Sequence, residues 1–175
     1  LVLALIFGLL TLNLRANQVA TGLALTLFGL GLSALIGHSF VGETFPGLPK
    51  LDIPLISKLP IIGPLVFGQD ILFYMSVVSV FFAGWFLNKT RWGLVLRAVG
   101  ENHDAAHAIG HPVNFVRMMA VLFGGSRAGL GGAYLSLAYT PLWVENMTAG
   151  RGWIALARVV FASWRPGRAI VGAYL

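Results

Sequence analysis

The chain of 175 residues is 57% hydrophobic and only 10% charged, with a formal net charge of +6. A water-soluble domain carries about 25% charged residues, so a surface wholly in water is excluded and lipid must be part of the solvent. Cysteine is absent, which excludes disulfides, thiolate metal sites and a cysteine nucleophile, and the basic excess lies beside apolar runs, where it marks membrane topology and not nucleic-acid binding.

In chain order, residues 1–12 read as part of a membrane span. Leu1 is not Met and the chain stops inside an apolar run at Leu175, so a fragment of a longer membrane protein, open at both ends, is expected. Residues 16–37 carry no charge and suit a full span, with small residues Ala20, Gly22, Ala24, Gly29 and Gly31 for close helix contact. Residues 38–69 contain five prolines, Pro46 to Pro64, and predict an irregular exposed loop. Residues 70–87 form the next span, with Trp85 suited to an interface.

Residues 88–112 are the most polar part of the chain and include "GENHDAAHAIGHP". Within it, "ENHDAAHAIG" predicts a two-turn helix, with Glu101 and Asp104 in its first turn, Gly110 as its stop and Pro112 opening the next helix. So short an element must pack on its own domain or on a partner. Residues 113–139 predict a glycine-rich span broken near "GGSRAGLGG". Residues 153–161 are too short to cross alone; the piece either extends back to form a span over 145–163 or re-enters the membrane. Residues 169–175 begin another span.

Lys89, Arg91 and Arg97, with Arg117 beyond, outweigh Lys50 and Lys58 in the loop at 38–69. The positive-inside tendency therefore puts residues 88–112 in the cytoplasm and 38–69 outside, with Arg15, Arg165 and Arg168 fitting the inner side.

Three readings compete for the polar module. His103 and His107 share a helical face, but no glutamate completes an H-E-x-x-H pattern and Gly110 turns His111 away, so no metal site is expected. The others are an ordinary solvated loop and a docking element for a cytoplasmic partner. "RWGLVLRAVGENHDAAHAIGHPV" resembles the coupling-loop motif of ATP-binding-cassette (ABC) importer permeases of the branched-chain amino acid, ribose and nucleoside class. "NQVATGLAL", "GLGGAYLSLAYTPLWVENMTAGRGWIALA" and "WRP" are similar to its simple-sugar and nucleoside permeases, from about Asn13 onward.

The resemblance implies an all-α polytopic transmembrane helical bundle with broken or re-entrant helices. It implies a subunit that moves a nucleoside or simple sugar across a bacterial or archaeal inner membrane by alternating access. Gly100, Glu101, Asn102, Ala105, Ala106 and Gly110 match the element that docks on cytoplasmic ABC ATPase subunits. The other implied partners are a second permease subunit, identical or not, an extracytoplasmic solute-binding protein, and lipid. Asn17, Gln18, Asn146, Thr148 and Arg151 match segments near the translocation pathway; capping for the first pair and satisfaction of a broken span's backbone for the rest are the alternatives.

Trp143 and Trp153 suit interfacial anchoring. G-x-x-x-x-G-K-[ST] is missing, so the chain is expected to bind no nucleotide and to hold no cofactor. No catalytic residues are expected. Arg127 and Arg158 stand where related permeases have small or apolar residues, and each costs about 2.5–3.5 kcal/mol if held deep in a span. A secondary transporter or channel without an ATPase is the runner-up.

Overall fold

The structure is a computed structural model and describes residues 1–43, 47 and 70–174. Among these the fold is all-α: eight α-helices, with an isolated bridge between Val41 and Trp143 in place of any strand. Most of the proline-rich stretch at 38–69 lies outside the described residues.

Helix α1 (Val2–Gly8) runs into a π-helical turn at Leu9–Asn13, where the Leu14 N–H reaches the Leu9 carbonyl at 3.1 Å. Helix α2 (Gln18–Gly37) starts two residues later than the absence of charge suggested, because Asn17 caps it. The Asn17 amide oxygen accepts from the N–H groups of Val19 at 3.0 Å and Ala20 at 3.1 Å. Helix α3 (Ile71–Lys89) follows. Both α2, with its 3-10 extension to Phe40, and α3 are long and apolar enough to cross a membrane, and neither is buried in the fold. Val19, Leu27 and Leu35 are all exposed though they point to different sides of α2, so no single face of this helix is turned to a core among the described residues.

The polar region holds more helix than its composition suggested. Helix α4 (Arg91–Glu101) precedes α5 (His103–Ala108), and α6 (Val113–Tyr134) begins just after. Helix α4 forms because Val95, Leu96 and Val99 fall on one face at helical spacing and pack inward, while Arg91 and Arg97 stay exposed.

The expected break at "GGSRAGLGG" is absent: α6 continues to Tyr134 and only then tightens into a π turn at Leu135–Tyr139. Each glycine costs roughly 1 kcal/mol against alanine in a helix, but here packing overrides propensity. A Cβ at Gly125 would run into Ala4, and one at Gly8 would run into Met118, so α1 and α6 lie antiparallel at close range through their small residues.

Residues 144–150 form turns, and α7 (Arg151–Phe161) does not extend back to Glu145. Its 11 residues span about 16 Å, roughly half a hydrocarbon core. Ser163 and Trp164, both at positive φ, turn the chain into α8 (Pro166–Tyr174). Arg158 on α7 donates to the Ala173 carbonyl on α8 at 3.2 Å, so its charge sits on a helix end instead of lying unpartnered. Helix α8 packs on α3, with Pro166 beside Gly84.

The apolar core is small. Val99, Ala106, Val113 and Val116 form its one cluster among the described residues, at the junction of α4, α5 and α6.

Candidate functional site

Two polar joints build this junction. Thr90 closes α3 and opens α4: its hydroxyl donates to the Phe86 carbonyl at 2.6 Å and its oxygen accepts from the Gly93 N–H at 3.0 Å. The first turn of α4 folds tightly over the last turn of α3, and a Cβ at Gly93 would strike the Phe86 carbonyl oxygen and the Leu87 backbone. The glycine of "RWG" is thus a close-approach requirement.

Asn102 is the second joint. Its N–H donates to the Ala98 carbonyl at 3.0 Å, ending α4, while its carbonyl accepts from Ala106 at 3.1 Å and its side-chain oxygen accepts from the Ala105 N–H at 3.0 Å, starting α5. Glu101 therefore belongs to the last turn of α4, not to the first turn of α5 as its position before the alanines suggested. A Schellman motif closes α5: Gly110 donates to the His107 carbonyl at 2.9 Å and His111 to the Ala106 carbonyl at 3.1 Å, with Gly110 at φ +88°.

The site's two central alanines part company. Ala106 is 2% exposed inside the valine cluster, whereas Ala105 is exposed. The outward surface of α5 consists of His103, Asp104, Ala105, His107 and Ala108, continued by Ile109, 72% exposed. Ala108 and Ile109 were missed in the sequence; for Ala108 its helical position opposite Ala106 was the available signal, whereas Ile109, three residues beyond Ala106, carried none. The Asp104 carboxylate lies 3.5 Å from His103 Nε2. Among the described residues no group of three or more His, Asp or Glu side chains gathers around a common point.

Beside the start of α5 lies an open cleft of about 460 Å3 between α1, α4 and α6. It brings Gly100 and His103 together with Gln18, the first residue of α2, and with Arg117 of α6.

A family profile described as branched-chain amino acid transport system / permease component matches residues 1–175. The chain belongs to that family.

Relatives of this permease family member include the "Putative glucose ABC transporter permease protein TsgC13" of Haloferax volcanii, 43% identical over 99% of this chain and 54% of its own length. The nucleoside ABC transporter permease protein NupC of Lactococcus lactis subsp. cremoris is 34% identical over 94% of this chain and 54% of its own. The guanosine ABC transporter permease protein NupQ of Bacillus subtilis is 31% identical, with 93% and 53% covered. The chain spans about half the length of the curated relatives it matches. No solved structure matches it at a significant level.

Within this permease fold the five pathway candidates separate into two groups. Gln18 lines the cleft beside the start of α5, and Asn17 spends its amide oxygen on the α2 cap. Asn146, Thr148 and Arg151 follow Trp143 in the chain, and the Trp143 ring covers Gly37 at the other end of α2, where Val41 pairs with Trp143. The 20 residues of α2 separate Gln18 from this Trp143 contact by about 30 Å. Asn146 adopts φ +64°, the Thr148 carbonyl accepts from the Arg151 N–H at 3.2 Å, and the Arg151 guanidinium stacks 5.1 Å from the Tyr139 ring centre. Trp143 packs against a helix, while Trp153 is exposed. Arg127 lies 5.0 Å over the Phe123 ring one turn earlier in α6, which offsets part of its cost in an apolar setting.

Proposed function

We propose that this chain is part of the transmembrane permease subunit of an ABC importer for a nucleoside or simple sugar, and that α5 docks on a cytoplasmic ATPase subunit. One observation carries the reading. The valine cluster fastens Ala106, and with it α5, to both α4 and α6, while Asp104, Ala105, Ala108 and Ile109 face outward. A two-turn helix held rigidly by one face and bare on the other can transmit a push. ATP-driven movement of a partner gripping that bare face would tilt α3 and α6 through α4, biasing inward- against outward-facing states.

In this reading α5 and residues 14–17 lie on the cytoplasmic side of a bacterial or archaeal inner membrane, in keeping with Arg15, Lys89, Arg91 and Arg97. The residues around Asn146 and Arg151 lie toward the outer side, where a solute-binding protein would deliver cargo. Gln18 and Arg151 then mark opposite ends of a solute route shared with a second permease subunit. Glucose and nucleosides in the names of the relatives support the cargo class.

The test is association. The full-length permease should co-purify with its ATPase, and Ala105→Trp should abolish that without lowering permease yield. Retained association would refute docking through α5.

A further inference from the structure

The cleft beside the start of α5 forms a cavity with a chemistry that the docking role does not use. Arg117 reaches it from α6, His103 from α5, Gln18 from α2 and Thr11 from the π turn after α1. No carboxylate lines it. Arg117 makes no ion pair among the described residues, and the one carboxylate near His103, that of Asp104, is 91% exposed. The back wall is apolar, with Phe7, Leu96 and Val121.

We infer that this cavity is a binding site for a phosphate ester. A guanidinium offers paired N–H donors that match phosphate oxygens, and the Gln18 amide and an imidazole N–H add donors from two other elements. A cleft lined by one sign of charge and low-dielectric walls concentrates anions. The volume of about 460 Å3 equals that of roughly fifteen waters at ~30 Å3 each, too large for a bare ion, so the phosphate carries an organic group lying on the apolar wall. That group is either a small soluble alcohol or the glycerol of a lipid.

The occupant would touch α2, α5 and α6 at once. Resting on the docking role proposed above, occupancy ties the coupling helix to the start of α2 and slows the ATP-driven cycle, which makes the cavity a regulatory site.

The test uses the full-length permease–ATPase complex in phosphatidylcholine vesicles, with and without phosphatidylglycerol. Radiolabelled glycerol 3-phosphate is the soluble probe, and retention of phosphatidylglycerol through purification, read by mass spectrometry, is the lipid probe. Arg117→Gln should weaken whichever probe binds by about tenfold or more, Arg117→Lys should restore most of it, and Lys89→Gln, a cation outside the cavity, should leave it unchanged. Binding of the soluble probe lost in Arg117→Gln supports a soluble ester; phosphatidylglycerol retention lost in that variant supports a lipid headgroup. Binding of neither, binding indifferent to Arg117→Gln, or equal loss in Lys89→Gln overturns the site. Ala105 does not line the cavity, so Ala105→Trp separates the two readings: probe binding persists in it whether or not ATPase association is lost.

Discussion

Ala105 and Ala106 are adjacent in the chain and face opposite surroundings: Ala106 is 2% exposed between Val99, Val113 and Val116, and Ala105 is open to solvent. The pair that the sequence offers as one docking feature is one residue for holding the helix and one for meeting a partner.

Enlarging each side chain should separate these jobs. Ala106→Leu overfills the valine cluster and should cost about 1–3 kcal/mol, seen as a lower melting temperature of the full-length protein. Ala105→Leu should leave the melting temperature unchanged and weaken ATPase association. Equal melting temperatures for the two variants would contradict the burial of Ala106.

Asn102→Ala removes the cap of α5 and should cost about 1 kcal/mol. Hydrogen exchange at the amides of Ala105 and Ala106 should accelerate, and Asn102→Asp, which keeps an accepting oxygen, should restore protection.

Glycine-to-alanine changes in α4 should have opposite signs. At Gly93 a Cβ collides with the Phe86 carbonyl and the Leu87 backbone, neither of which is a movable side-chain end, so Gly93→Ala should destabilise by about 2 kcal/mol or more. At Gly100 nothing lies within 4 Å of the added Cβ, so Gly100→Ala should stabilise by about 0.5–1 kcal/mol. Thermal melts of the two variants check both signs.

Gly110 sits at φ +88° in the Schellman motif. Gly110→Ala should cost about 1–2 kcal/mol from its left-handed conformation, and Gly110→Asn should cost less. Protection of the His111 amide against exchange is the readout, since that N–H closes the motif on Ala106.

The 175 residues contain no cysteine, so single cysteines report sidedness without background from this stretch. Asp104→Cys and Arg15→Cys should react with an impermeant maleimide only from the cytoplasm, and Glu145→Cys only from outside. Labelling of Asp104→Cys solely from outside would end the proposed role of α5.

Composition is enough to expect lipid as part of the chain's solvent, because too few polar residues exist to cover a surface in water, and the length of the uncharged runs is enough to expect helices. The local signals are legible for the same reason that they are local: Asn17 as a cap, Gly110 as a stop and the polarity of residues 100–112 each depend on a few neighbouring atoms. What only the tertiary structure decided depends on which helices meet. The unbroken course of α6 through its glycines follows from the approach of Ala4 to Gly125, and the division of labour between Ala105 and Ala106 from the position of the valine cluster. The separation of Gln18 from Trp143 by the length of α2 has the same origin. Periodicity shows that a face exists; only packing shows what that face is turned toward.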